Sequence, residues 1–380
     1  MVIIALNRFG KTLLLIMVVA LMVVMLPACS TGTQPSSSVT PNAEQQQMRT
    51  IIDSLGREVE IPVQVERIVP LGNTPRMIAY LGLADKVVGI GGMKADQVTP
   101  LQAYAYACKD VWAGLPLVGT DTAGATDYYP EQIISVQPDV ILCSYTKELA
   151  DEISSKTGIP VIAVPMGTLF KDDYKEALRL LGDVCGANER AEEVIGFVDA
   201  CLEDLNTRTA DVPESQKPSV LGAAATFKGA HGIEGVYVNY PVFTAISAKD
   251  VVSGVSEAES AFIVDREQIL GWNPDIIFLD AGNTNLVKED VKSNPDFYAQ
   301  LNAYNNGQVY QCPNSTSYYS NVEIPIVNSY YIASLLYPEQ FKDISFEQKA
   351  SEVFEFFLDE PNYLTTLEAA GYGYGKVDLG

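Results

Sequence analysis

Apolar residues fall along this chain in two alternating patterns. Short unbroken runs rich in valine and isoleucine, ended by glycine or proline, read as buried parallel strands: RIVPLG (67–72), VVGIGG (87–92), DVILCS (139–144) and PVIAVP (160–165), then SVLGAAAT (219–226), DIIFLD (275–280) and QVYQCP (308–313). Between them apolar positions recur every three or four residues, as in PRMIAYLGL (75–83), which reads as helix. This alternation predicts an α/β fold of two similar lobes, each a mainly parallel sheet flanked by helices. Residues 172–209 keep helical spacing with a break at Gly186. From Asn188 the pattern runs for about twenty residues, a helix of about 30 Å, long enough to join the two lobes. The tail from EIPIVNSYYIASLLYPEQF (323–341) onward reads as two more helices on the second lobe.

One phrase occurs twice. EQIISVQPDVIL (131–142) and EQILGWNPDIIF (267–278) share Glu, Gln, Ile, Pro, Asp and a second Ile at matching places, 136 residues apart. Each is a helical turn stopped by proline and followed by a strand, so both are α-then-β units at corresponding points of the two lobes.

The N-terminus has a different character. Arg8 and Lys11 precede TLLLIMVVALMVVML (12–26), an apolar stretch of 15 residues, short for a membrane span and right for an export signal. LPAC, ending at Cys29, looks like a bacterial lipobox, which implies cleavage before Cys29, acylation of its thiol and a lipid-anchored, extracytoplasmic protein. STGTQPSSSVTPNAEQQQ (30–47) is polar and reads as a flexible tether. The expected organisation is a signal peptide over 1–28, a tether over 29–47, an N-terminal lobe over 48–171, a helical connection over 172–210 and a C-terminal lobe over 211–380.

No Asp or Glu precedes Cys29, so removal of the signal moves the formal charge from −23 to −25. Such a chain is no nucleic-acid binder, because phosphates require a basic footprint. Five cysteines remain beyond Cys29, none in a metal-binding spacing, and they read as buried thiols. A G-x-S-x-G elbow, H-E-x-x-H, P-loop and G-x-G-x-x-G are all missing from the sequence, which argues against an enzyme, and no cofactor is implied.

IIDSLGREVEIPVQVERIVPLG (51–72), the two glutamate phrases and NPDFYAQLNAYNNGQVYQCP (294–313) resemble the substrate-binding lipoproteins of bacterial ABC importers, in the branch with a rigid interlobe helix that handles iron-siderophores, haem and vitamin B12. The resemblance runs from Ile51 to the C-terminus. It implies a monomeric carrier that captures a metal complex, most simply a ferric siderophore, and delivers it to a permease dimer driven by a cytoplasmic ATPase. Haem, cobalamin, or an oxyanion such as molybdate or tungstate are alternative cargoes. A surface sensor or adhesion lipoprotein without transport is the alternative of another class. In the family one glutamate on each lobe docks into arginine pockets of the permease, and the matching positions are Glu131 and Glu267.

Ligands of two-lobed α/β binders sit beyond the carboxyl ends of the strands. In the first lobe those positions hold Asn73, Thr74, Arg76, Met93, Tyr145 and Met166. In the second they hold His231, Tyr237, Asn239, Tyr240, Asn283, Tyr318 and Tyr319. Tyrosine suits hard Fe(III), although a half-buried loop tyrosine needs no ligand to explain it. His231, the sole histidine, is either an axial ligand or a solvated loop residue, and one His cannot build the bare zinc or manganese site of related carriers. Arg76, after Pro75 at a helix start, reads either as an oxyanion anchor or as a surface cation.

Overall fold

The computed structural model describes residues 47–380 apart from 93, 123–124, 259, 314–320 and 380. Cys29, the signal and most of the tether lie outside the described residues, as do Met93, Tyr318 and Tyr319.

The N-terminal half opens with a hairpin of β1 (Met48–Ile52) and β2 (Glu58–Pro62). Then follow β3 (Ile68–Pro70), α1 (Thr74–Tyr80), β4 (Ile90–Gly91), α2 (Ala103–Ala107), β5 (Leu117–Thr122), β6 (Ala125–Tyr128) and α3 (Pro130–Ser135). β7 (Val140–Cys143), α4 (Lys147–Thr157) and β8 (Val161–Ala163) complete it. All four runs read as strands are strands, but among the described residues they form two small sheets rather than one: β3-β7-β8, all parallel, and β4-β5-β6, in which β6 returns antiparallel.

α5 (Asp172–Cys185) ends at Gly186 in the left-handed conformation (φ 73°), the break read from sequence, and α6 (Asn188–Thr209) begins two residues later. α6 buries Ala191, Val194, Ile195, Val198, Cys201 and Leu205, a stripe at helical spacing.

The C-terminal half comprises β9 (Ser219–Ala223), β10 (Gly235–Tyr237), α7 (Pro241–Ala245), β11 (Lys249–Asp250), β12 (Ala261–Ile263), α8 (Arg266–Trp272), β13 (Ile276–Asp280) and α9 (Thr284–Ser293). It continues through α10 (Pro295–Tyr298), α11 (Asn302–Asn305), β14 (Val309–Cys312), α12 (Glu323–Leu336), α13 (Phe346–Leu358), α14 (Tyr363–Ala369) and β15 (Gly375–Lys376). Among the described residues its strands form one sheet in the order β12-β10-β9-β13-β14-β15, with β11 on β9. The sheet is parallel at its centre and antiparallel at β10, β12 and β15. The tail has three helices, not two: α14 is only seven residues long, too short to show a period.

α6 packs on α5, on α12 and on α7. The largest apolar cluster draws on both halves, from Ile51 through Leu178 and Val198 to Phe354 and Leu367, while smaller clusters lie within each half. Residues 46–380 accordingly form one compact unit. The five described cysteines are free thiols; Cys108 is half-buried and the others are buried.

The D-x-x-G-R phrase of the opening hairpin has a mechanical reason. Asp53 is buried, and its carboxylate accepts hydrogen bonds from the Leu55, Arg57 and Ala163 amides and from Arg57 Nε and Nη2. Gly56, at φ 73°, makes the turn that brings Arg57 back. Arg57 also reaches Asp151 and the Val161 carbonyl, so one ion pair ties the hairpin to β8 and α4. Removing one partner of a mostly buried pair strands the other, so Asp53→Ala should cost about 3 kcal/mol in a urea denaturation series, with the slope unchanged.

Candidate functional site

The repeated phrase separates into parts that the fold uses and parts that it leaves over. Ile133 and Ile269 are fully buried. Asp139 accepts from the Glu66 and Arg67 amides at the start of β3, and Asp275 from the Ser219 amide and hydroxyl at the start of β9. Each Pro-Asp therefore staples its strand to the strand beside it. Glu131 and Glu267 lie in the first turns of α3 and α8, exposed, each carboxylate without a partner among the described residues. No packing role accounts for them.

A cavity of about 180 Å³ lies between the two halves. Asn73, Arg76 and Met166–Leu169 form one wall, Tyr237–Pro241 and Ser260 the other, and Asn321 and Pro325 close the side. Among the described residues no acidic side chain lines it, and Arg76 is the cation among them.

The Arg76 wall is built by the turn after β3. Gly72 (φ 63°) sits against Ser144, whose hydroxyl accepts from the Asn73 amide at 2.9 Å, and a Cβ at residue 72 would collide with that hydroxyl. Thr74 then donates its hydroxyl to the Leu71 and Leu142 carbonyls, which pins the start of α1. Arg76 follows, 2% exposed, its Nη2 donating to the Met166 and Gly167 carbonyls at 2.8 and 2.5 Å. Its guanidinium lies 5.8 Å over the Tyr174 ring. It is not a surface cation: carbonyls and an aromatic face hold its plane against the cavity. The Asn73 amide contacts Met166 on the same wall.

On the opposite wall Tyr237 and Tyr240 stack, ring centroids 4.5 Å apart and 13° from parallel. The Tyr237 hydroxyl donates to Asp280 Oδ2 at 3.4 Å, and Asn328 donates to the Tyr240 hydroxyl. Burial pushes the Asp280 carboxyl up to about 7, against the Gly282 amide and the Thr226 and Tyr237 hydroxyls that bond it. Asn239, left-handed at φ 50°, turns the chain between the two rings.

Asn73, Arg76, Met166, Tyr237, Asn239 and Tyr240 are thus brought together as the sequence implied. Thr74 is a correction, since its buried hydroxyl is taken by backbone carbonyls. Asn283 is another: it is 5% exposed and donates to the Ala224 carbonyl and Thr226 hydroxyl, joining two strand ends behind the wall. His231 bonds the Phe227 carbonyl through Nε2 and rests on the Phe227 ring, folded into its own loop and away from the cavity. Tyr145 is half-buried against Gly72 and does not line the cavity. Among the described residues no group of three His, Cys, Asp or Glu side chains could hold a bare metal ion. Sequence reasoning missed Thr168, Ser260, Asn321 and Pro325. Of these only Thr168 follows a recognised strand, as part of the loop that Met166 opens.

Residues 72–316 match the family described as periplasmic binding protein. The chain is 22% identical over 332 residues to the molybdate-binding protein MolA of Haemophilus influenzae, covering 81% of this chain and 90% of that one. It is also 22% identical over 312 residues to the iron-uptake system-binding protein of Bacillus subtilis, covering 79% and 90%. Among solved structures, H. influenzae MolA bound to molybdate superposes with a TM-score of 0.65 at 19% identity, over 82% of this chain and 98% of that one.

Proposed function

The chain belongs to the periplasmic binding protein family, and we propose that it is the extracytoplasmic capture component of an ABC importer whose cargo is a small metal-containing anion, best matched by a tetrahedral oxyanion such as molybdate or tungstate. The cavity carries this reading. Among the described residues it is lined by one held arginine, by amides, hydroxyls and apolar side chains and by no carboxylate, and at about 180 Å³ it falls below the roughly 300–1,000 Å³ of sites for drug-sized ligands. An oxyanion can take donors from Arg76, Asn73, Asn321 and the Tyr240 hydroxyl, and charge-assisted bonds such as that from Arg76 are the strong ones. A bulky ferric siderophore would require the walls to part. A compact ferric chelate is the second reading, favoured by the stacked Tyr237 and Tyr240 and by relatives named for iron uptake.

In this reading the lobes span 48–171 and 211–380 and are joined by α6, and the core they share restricts closure to a small movement. Cys29 holds it to the membrane as a monomer. Exposed Glu131 and Glu267 meet basic pockets on the two permease subunits.

A thermal-shift series of the purified protein with molybdate, tungstate, sulfate, ferric citrate, ferric siderophores, haem and cobalamin tests the cargo. Molybdate or tungstate at 100 times its dissociation constant should add about 2.7 kcal/mol and raise the midpoint by several degrees. A shift with siderophores and none with oxyanions would overturn the assignment while leaving the fold and the docking glutamates untouched.

A further inference from the structure

Behind Arg76 lies a second charge that the cavity does not show. Arg76 and Tyr80 are four residues apart on α1 and project from one face. Tyr80 is 1% exposed and donates its hydroxyl to Glu323 Oε2 at 2.5 Å. The Val322 amide donates to the same oxygen at 2.9 Å. Glu323, the first residue of α12, is fully buried and stands between Asn321 and Pro325, both of which line the cavity. Its other oxygen, Oε1, is buried with no hydrogen-bond partner among the described residues. The groups that act on it or feel it are Arg76 and Tyr80 on α1, Cys108, Tyr174 on α5, Tyr363 on α14 and Tyr374. Arg76 is the cation among them.

A buried carboxylate with one orphan oxygen is expensive to keep ionised unless a neighbouring charge compensates it. Burial raises the Glu323 carboxyl above its usual range, while the Tyr80 hydroxyl, the nearby amides and Arg76 act against that rise. An anion seated on Arg76 would cancel the compensation. Two negative charges cannot share one guanidinium in a dry site without one of them taking a proton.

We propose that Glu323 sets the charge of the cavity: it ionises against Arg76 when the cavity is empty and takes a proton from water when an anion binds, so that capture is coupled to proton uptake at a residue the ligand never touches. This inference rests on the reading of the cavity as an anion site. It makes Glu323 a positioning residue for charge, one that favours anions as the pH falls. Anion binding raises the Glu323 pKa, so affinity is greatest at low pH and falls as pH rises through the window between the empty and the loaded values.

Calorimetric titration of sodium molybdate into the whole protein, in buffers of differing ionisation enthalpy, counts the protons. Uptake approaching one proton per molybdate is expected within that window, with the dissociation constant rising by up to about tenfold per pH unit. In Glu323→Gln the Glu323 share of the uptake should vanish and molybdate should bind at least as tightly as to wild type at low pH. Asp280→Asn, which neutralises the other buried carboxyl near the cavity, should keep that share. Molybdate binding to wild type without proton uptake, or uptake undiminished in Glu323→Gln, would overturn the coupling and spare the anion assignment. Absence of molybdate and tungstate binding at every pH would overturn both. The wild-type proton count stands on its own if the glutamine variant folds poorly.

Discussion

Replacing Arg76 by methionine should weaken molybdate binding by at least about 30-fold, since truncating one partner of a desolvated charged contact costs roughly 2–5 kcal/mol. Methionine keeps most of the volume against Tyr174 and removes the charge. It also frees the Met166 and Gly167 carbonyls that Nη2 now holds, so the wall should loosen as well. Arg76→Lys keeps the charge and loses the planar fork, and should fall between, about tenfold weaker than wild type. Global stability should change less than affinity does, because Glu323 can hold its proton when Arg76 is gone. Isothermal titration checks the affinities and thermal melting checks the fold. Unchanged molybdate affinity in Arg76→Met would show that the anion sits elsewhere.

The second large effect separates capture from delivery. In the double variant Glu131→Ala, Glu267→Ala, uptake by cells should drop by at least about 100-fold, while molybdate affinity and melting temperature stay at wild-type values. The reason is the division of labour within the repeated phrase. Ile133 and Ile269 fill the core, and Asp139 and Asp275 bond the neighbouring strand starts. The glutamates are spared any such duty: they are exposed and sit at matching first-turn positions of α3 and α8. Each single variant should lose part of the uptake, because a carrier meeting two subunits is positioned by both anchors. A lowered molybdate affinity in the double variant would contradict the docking role.

How far this site can be read from sequence depends on whether a residue's task shows in the chain pattern. Strands buried on both faces announce themselves as apolar runs, and VILC and IIFLD came out where their composition put them. The strands β10, β11, β12 and β15 are two or three residues long, and nothing so short carries a period. The rule that ligands lie past the ends of strands found Arg76, Tyr237 and Tyr240. It could not separate them from Thr74 and Asn283, because the same positions also hold helix starts and strand ends together, and only the direction of the side chain distinguishes the two uses. Glu323 was hidden for a related reason. An acid at the start of EIPIV looks like an exposed first-turn residue, and its burial depends on Tyr80, 243 positions away in sequence.

The most direct test of the central claim is a crystal soaked with molybdate and measured across the molybdenum absorption edge. The anomalous map should show one peak in the cavity between Arg76 and the Tyr237–Tyr240 pair, its oxygens within about 2.7–3.2 Å of the Arg76 guanidinium. A cavity without a molybdenum peak, in crystals whose iron-edge map places a ferric chelate between the same walls, would contradict it.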